Sequence, residues 1–331
     1  MAHSKSFDGK GPYTQAMTYP RNGSDLHRNS LKKIRVLATI GLSFFFSESV
    51  LSQESITLKK IQTSGTIVLG YRENSAPFSY LDLSLKPIGY TVDICMHLVS
   101  AIKWELRRND LRVQWMPVTA TTRFPMMLNR TIDMECGVTT NTPERQKMAA
   151  FSVTTFVTEA RLLSKKSRPI ERLEDLRGQA VVSTAGTTNM QTLVKLNDQF
   201  QLQAKILTVK DDAEAFNMVA SNRAVAYAMD DALLRTNIAS AVNASDYMIS
   251  KQALTVEPYG IMLPRGDDIF KKLVDQNIKQ LYQSGSISNI YRQWFNNPIP
   301  PLGINLQMPM PAAMEVVIKK PTDSSDPAQY R

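Results

Sequence analysis

Residues 118–146 read VTATTRFPMMLNRTIDMECGVTTNTPERQ, and this stretch predicts both the fold and the kind of site that the chain carries. Its pattern is a strand, a short helix, a strand and a turn, with polar side chains where the strands end. Arg123 opens the short apolar helix, Thr140 follows the second strand, and Arg145 comes shortly after it. Hydrogen-bond donors clustered at strand ends suit a small ligand that carries a carboxylate.

Strands and helices alternate on both sides of this stretch. An apolar strand at 66–71 and a helix at 93–103 precede it. A second series begins near residue 156, and helices at 269–284 and 287–295 close the fold. Alternation of this kind predicts an α/β fold with largely parallel sheets and helices on both faces. Ligand residues are then expected at strand ends that face a crevice.

The first 52 residues form a leader, and residues 31–52 have the organisation of an export signal. Lys32, Lys33 and Arg35 precede an apolar run at 36–46, and a polar end with small residues follows. The apolar run is shorter than the roughly 20 residues that a transmembrane helix needs. This organisation predicts that the protein is exported.

Composition bounds the function of the chain. Its 331 residues are 43% hydrophobic and 21% charged, which is enough for two folded lobes. Of the 39 Lys/Arg and 30 Asp/Glu, seven and three lie in the leader, which leaves 32 against 27. This spread-out excess predicts no nucleic-acid partner and is compatible with steering small anions. Only His97 remains beyond the leader, which argues against histidine-dependent catalysis and against a transition-metal site. No cofactor is predicted.

The chain has two cysteines, Cys95 and Cys136. Export would place them in an oxidising compartment, where a disulfide could close a loop of about forty residues. Two separate buried thiols are the alternative, because the sequence does not give the distance between them.

Seven segments carry a resemblance to a known family, and they occur in the family's order. They are YRENSAPFSY (71–80), GYTVDIC (89–95), TTRFPMMLNRTIDMECGVTTNTPERQ (121–146), STAGTTNM (183–190), AYAMDDALL (226–234), EPYGIML (257–263) and WFNNPIPP (294–301). Together these segments resemble the periplasmic glutamate/aspartate-binding proteins of bacterial ABC importers, over roughly residues 57–305.

The resemblance implies a two-lobe clamshell of the type II periplasmic binding protein class, joined by two hinge strands. One lobe would comprise 53–156 and 258–300, and the other 157–257. Independently of the resemblance, the prolines from residue 298 onward predict that 301–331 form a loosely packed C-terminal tail. A monomer would close on an amino acid and deliver it to an ABC permease in the inner membrane, without covalent chemistry.

The resemblance also implies roles for individual residues. Arg145 would hold the α-carboxylate of the ligand, helped by Thr140, and Asp230 would accept from its α-ammonium. Thr187 and Thr188 would add donors from the other lobe at a helix start, where free N–H groups attract anions. The alternatives are that Arg145 is a surface arginine paired with Glu144, that Arg123 faces solvent at a helix start, and that the threonines only cap their helix.

Arg72 and Arg123 match the two arginines that recognise the side-chain carboxylate of glutamate or aspartate. Three positions depart from the family's acidic binders, with Ala120 and Val138 in place of hydroxyl side chains and Asp212 in place of a histidine. Asp212 would repel a side-chain carboxylate, or it could pair with one of these arginines and favour an amide such as glutamine or asparagine.

The predicted function is therefore an amino-acid-binding protein rather than an enzyme, with glutamate or aspartate as ligand and an amide amino acid as the alternative. A less favoured alternative is an exported enzyme, such as a dehydratase on the same fold. It would need a general acid, for which Asp212 or Glu73 could serve, but neither lies in a recognisable catalytic spacing.

Overall fold

The computed structural model describes residues 54–330, so the predicted leader and signal peptide lie outside the described residues. Ten α-helices occur in this part of the chain: α1 (Ile56–Ser64), α2 (Tyr90–Glu105), α3 (Arg123–Leu128), α4 (Pro143–Gln146), α5 (Thr188–Gln199), α6 (Asp212–Ala220), α7 (Asp231–Ala239), α8 (Asp268–Gln283), α9 (Ser286–Phe295) and α10 (Ala312–Lys319). None of the described helices combines the length and apolar character needed to cross a bilayer.

The strands of the same residues are β1 (Thr66–Tyr71), β2 (Asn74–Ser75), β3 (Ser79–Leu81), β4 (Pro87–Ile88), β5 (Arg112–Pro117), β6 (Met134–Cys136), β7 (Ala150–Phe151), β8 (Phe156–Lys165), β9 (Ala180–Thr184), β10 (Lys205–Val209), β11 (Ala226–Asp230), β12 (Tyr247–Ile249), β13 (Thr255–Tyr259) and β14 (Met262–Leu263). A small antiparallel sheet, β2-β3-β4, follows β1.

Two larger sheets carry the fold. The first has the order β5-β1-β6-β14-β7, with β1 parallel to both β5 and β6. The second has the order β10-β9-β11-β8-β12, with β9 parallel to β10 and β11. Buried apolar runs such as TIVLGY in β1 form the centres of these sheets because helices cover them.

The expectation of largely parallel sheets is wrong for the strands near the crossings between the two sheets. Strand β14 is antiparallel to β6 and β7, and β8 is antiparallel to β11, β12 and β13. These strands flank the points where the chain passes from one sheet to the other and back. Their direction is therefore set by the route of the chain between the sheets, and they are not part of a repeated βαβ unit.

The chain crosses between the sheets twice, and the two crossings lie side by side. The first runs from β7 to β8 and the second from β13 to β14. Ser152 N donates to Ile261 O at 2.9 Å, and Thr155 N donates to Tyr259 O at 2.8 Å. Because they are hydrogen-bonded to each other, the crossings form a two-stranded connection that can act as a hinge.

Aromatic side chains fill the core beside these crossings. Phe156 and Tyr259 come from the crossing strands, and their ring centroids lie 6.1 Å apart. Phe78 contacts both rings, at 4.8 and 5.5 Å. Edge-to-face packing of Phe78 on these two rings adds to the stabilisation from burial.

The segment after residue 300 differs from the expected loose tail. It contains α10, whose Met314 and Val317 are buried, and Tyr330, which is also buried. The Tyr330 hydroxyl lies 2.7 Å from Thr154 Oγ1, and Thr154 N donates to Thr322 O at 2.8 Å. Apolar residues between the prolines thus dock this segment onto the first crossing.

The two cysteines form a disulfide, which resolves the alternatives that the sequence left open. Cys95 of α2 is bonded to Cys136 of β6, with 6.1 Å between their Cα atoms and a sequence separation of 41. Both residues are fully buried. The bond therefore ties α2 to β6, the middle strand of the first sheet.

Removing this cross-link should lower the free energy of unfolding. A Cys95→Ala/Cys136→Ala variant is expected to lose about 3–4 kcal/mol, because the unfolded chain gains the entropy of an open loop. Urea unfolding of the two proteins measures the loss. Cys95→Ala alone should lose a comparable amount, since it breaks the same bond, and unchanged midpoints in both variants would contradict the prediction.

Candidate functional site

One cavity lies where loops from the two larger sheets meet, and the structure brings all the sequence-predicted site residues to its lining. These residues are Arg72, Arg123, Thr140, Arg145, Thr187, Thr188, Asp212 and Asp230. They are separated by up to 158 positions along the chain, from residue 72 to residue 230. Their roles toward a ligand remain predictions.

Three arginines supply the positive side of the cavity. Arg72 follows β1 directly, Arg123 is the first residue of α3, and Arg145 lies in α4. Their exposed fractions are only 8%, 2% and 5%. The structure thus contradicts the alternative that Arg123 and Arg145 are surface residues.

None of these arginines forms an ion pair with a carboxylate among residues 54–330. Arg145 Nη1 donates to Thr140 O at 2.9 Å, and Arg123 Nη1 donates to Val138 O at 3.2 Å. Burying a charge without a direct counter-charge is costly. Burial, together with the nearby Arg145, lowers the pKa of Arg123 to about 9. This cluster is therefore suited to an anionic group.

Gly186 brings the second sheet's loop against these arginines. Its carbonyl accepts from Arg145 Nη2 at 3.3 Å and from Arg123 Nη2 at 3.5 Å. Its φ is +75°, and an added Cβ would lie 2.8 Å from Ala120 O. A side chain there would be strained and would also collide with backbone, so glycine is required for this close approach across the cleft.

Of the two threonines after Gly186, one caps a helix and the other directs its hydroxyl toward the cavity. Thr187 is the N-cap of α5, and its hydroxyl accepts from Met190 N, as the capping alternative proposed. Thr188 is the first residue of the helix, and its hydroxyl donates to Glu257 Oε2 at 2.7 Å. Its Oγ1 also lies 3.4 Å from Thr140 Oγ1 on the opposite side. Thr188, unlike Thr187, therefore presents its hydroxyl to the cleft.

Asp230 supplies a negative group opposite the arginines. It ends β11, is 4% exposed, and accepts from Asn189 Nδ2 at 3.0 Å and from the Tyr259 hydroxyl. Burial, and then the nearby Glu257 carboxylate, raise the pKa of Asp230 to about 7. A cationic group beside Asp230 would reverse this effect by favouring the ionised carboxylate.

Asp212 does not pair with Arg72 or Arg123, which was one of the possibilities left open by the sequence. It begins α6, and its Oδ1 accepts from Thr184 Oγ1 at 2.8 Å and from the Tyr227 hydroxyl at 3.0 Å. Its carboxylate is thus bound by side chains of its own sheet. The other candidate general acid, Glu73, is exposed and does not line the cavity.

Two buried carboxylates near the cavity were missed by the sequence reasoning. Glu135 is fully buried in β6, and Glu257 is 2% exposed in β13. Each lies inside the short apolar segments MEC and TVEPY. A glutamate in the middle of a buried strand was the available signal, since such residues are almost never buried without a specific partner.

Comparisons with known proteins agree with this geometry. Residues 67–297 match the family described as bacterial extracellular solute-binding proteins, family 3. An L-glutamate/L-aspartate-binding protein of Pseudomonas aeruginosa is 44% identical over 292 residues, which is 88% of this chain and 97% of that protein. A glutamate/aspartate import solute-binding protein of Escherichia coli is 42% identical over 269 residues, 81% of this chain and 89% of that protein.

Solved structures show the same architecture. A crystal structure of an ancestral amino-acid-binding protein, described as a precursor of cyclohexadienyl dehydratase, superposes with a TM-score of 0.63. Its sequence is 28% identical, and the match covers 73% of this chain and all of that one (100%). The predicted α/β clamshell of the type II periplasmic binding protein class is thereby confirmed. The curated relatives are solute-binding proteins and not enzymes. The chain belongs to the family-3 bacterial extracellular solute-binding proteins.

Proposed function

We propose that this protein binds glutamate or aspartate in the periplasm and delivers it, as a monomer, to the permease of an ABC importer. Its two lobes would comprise 53–156 with 258–300, and 157–257. The names of the curated relatives support this ligand class. The observation that carries the proposal is a set of three buried arginines around a cavity that also holds a buried aspartate. None of the three arginines has an ion pair within residues 54–330.

Each end of an acidic amino acid has a complementary partner in this cavity. Arg145 offers a planar pair of donors to the α-carboxylate, a geometry that lysine cannot reproduce. Asp230 accepts from the α-ammonium, and Thr188 and Thr140 line the same cavity. Arg72 and Arg123 remain for the side-chain carboxylate.

Binding would close the cleft because these partners come from opposite sides. The arginines belong to the first sheet's loops, whereas Thr188 and Asp230 belong to the second. A ligand that contacts both sides favours the closed arrangement only by its differential affinity for that arrangement. A micromolar dissociation constant corresponds to about −8 kcal/mol, which two desolvated, charge-assisted contacts can largely supply.

The engagement of Asp212 by Thr184 and Tyr227 supports the acidic ligands over the amides. With its Oδ1 held by two hydroxyl groups, Asp212 does not cancel the charge of Arg72 or Arg123. A side-chain carboxylate would therefore meet two arginines that Asp212 has not paired with, whereas an amide would bring no negative charge to them.

Thermal-shift screening of the exported protein against the twenty amino acids and small dicarboxylates tests the proposal. A ligand at a hundred times its Kd should add about 2.7 kcal/mol of stability. Glutamate and aspartate are expected to give the largest shifts. A larger shift with glutamine or asparagine would overturn the ligand assignment, and chemical turnover of the ligand would favour the enzyme alternative.

The affinity for the ligand should depend on pH through Asp230. Because the pKa of Asp230 is raised to about 7, its carboxylate must lose a proton before it can pair with the α-ammonium. Titration calorimetry at pH 5.5 and pH 8 should show binding about ten-fold or more weaker at the lower pH, with proton release on binding. The same shift means that the unliganded protein loses stability as pH rises from about 4 to about 7.

Asp230→Asn is the matched control for this pH dependence. The amide cannot ionise, so the variant should bind weakly and with little change between the two pH values. A pH profile in the variant as steep as that of the unmodified protein would assign the titration to another group.

A further inference from the structure

Glu135 lies directly behind the cavity and takes part in a hydrogen-bonded chain that reaches it. The residue is fully buried in β6 and does not line the cavity itself. Its Oε2 accepts from Thr139 Oγ1 at 2.8 Å, whereas its Oε1 has no hydrogen-bond partner among the described residues. A buried carboxylate oxygen without a partner is uncommon, and it calls for a compensating charge nearby.

The chain of hydrogen bonds connects this carboxylate to Arg123. Arg123 Nη1 donates to Thr139 Oγ1 at 2.6 Å. A threonine hydroxyl has one proton, and a guanidinium can only donate. The Thr139 proton must therefore point to Glu135, so the chain runs in one direction from Arg123 through Thr139 to Glu135.

Glu135 also lies beside Arg72. A Cβ added to Gly137 would lie 2.1 Å from Glu135 Oε1 and 3.0 Å from Arg72 Cγ. The absence of a side chain at Gly137 therefore makes room for the carboxylate next to the stem of Arg72. One carboxylate thus neighbours both arginines assigned to the ligand's side chain.

We propose that Glu135 is a positioning residue that sets ligand specificity: through Thr139 it fixes Arg123, and its charge offsets one of the two positive charges of Arg72 and Arg123. The single positive charge that remains matches one side-chain carboxylate. This inference rests on the proposed function, since it concerns the same cavity. It makes the discrimination by Arg72 and Arg123 between an acid and its amide depend on a residue that does not line the cavity.

Two substitutions should move this discrimination in opposite directions. Thr139→Val interrupts the chain and releases Arg123, so the affinity for glutamate relative to glutamine should fall about ten-fold. Glu135→Gln keeps an acceptor for the Thr139 hydroxyl but removes the negative charge, so the same ratio should rise about ten-fold. Titration calorimetry with glutamate and glutamine measures both ratios.

Two further variants serve as controls. Thr139→Ser keeps the hydroxyl and should restore the ratio of the unmodified protein. Thr236→Val removes another buried hydroxyl, which donates to Ala232 O at 3.0 Å within α7, and should leave the ratio unchanged.

The outcomes separate this inference from the proposed function. If the unmodified protein binds neither glutamate nor glutamine, the proposed function and the inference about Glu135 are both overturned. If it binds them but Thr139→Val and Glu135→Gln weaken both ligands by the same factor, Glu135 only stabilises the fold and the inference is overturned. Should Glu135→Gln fail to fold, the contrast between Thr139→Val and Thr139→Ser still decides the matter.

Discussion

Replacing Arg145 with alanine is expected to abolish binding of every amino acid, with a loss of about 100-fold or more in affinity. The α-carboxylate is common to all of them, and Arg145 is the only arginine assigned to it. Removing the guanidinium would leave this carboxylate desolvated beside Glu257 and Asp230, both of which influence the pKa of Arg145. The effect should therefore be independent of the ligand's side chain.

Calorimetry with glutamate, aspartate and glutamine measures this loss. Arg145→Lys keeps the charge without the planar pair of donors and should recover only part of the affinity. Arg168→Ala, at an exposed arginine, should bind as the unmodified protein does. If a folded Arg145→Ala variant binds any amino acid as tightly as the unmodified protein does, Arg145 is not a ligand-binding residue.

Replacing Arg123 with alanine is expected to change which amino acid is preferred. Glutamate and aspartate should lose about 100-fold in affinity, because one of two positive partners of the side-chain carboxylate disappears. Glutamine should lose much less, since it carries no charge at that end.

The ratio of glutamate to glutamine affinity measures this change, and Arg145→Ala is the informative comparison. That variant should weaken both ligands together, whereas Arg123→Ala should separate them. An equal loss for both ligands in Arg123→Ala would mean that Arg123 binds the α-carboxylate or only supports the fold.

The sequence predicted the alternation of strands and helices well because apolar runs such as TIVLGY are visible locally. Strand direction at the crossings was not predictable in the same way. Whether β8 pairs with β11 in parallel or antiparallel depends on the route of the chain between sheets, which no local pattern reports. The packing of residues 301–330 was missed for a related reason, since its prolines suggest a loose segment while its buried contacts are made with distant residues.

Site residues could be predicted from the sequence where they lie at the end of a strand or at the start of a helix. Arg123 and Asp230 hold such positions, and the structure brings both to one cavity. Glu135 and Glu257 could not be placed in the same way, because they lie within strands and their partners are hydroxyl groups from other segments. The division between Thr187 and Thr188 also needed coordinates, since either residue could have capped α5 from sequence alone.

A crystal structure of the protein grown with glutamate tests the binding arrangement most directly. We expect the ligand between the two sheets, with its α-carboxylate on Arg145, its α-ammonium on Asp230 and its side-chain carboxylate on Arg72 and Arg123. A ligand bound elsewhere, or a cavity that stays empty at saturating glutamate with these guanidinium groups directed to solvent, would contradict that arrangement.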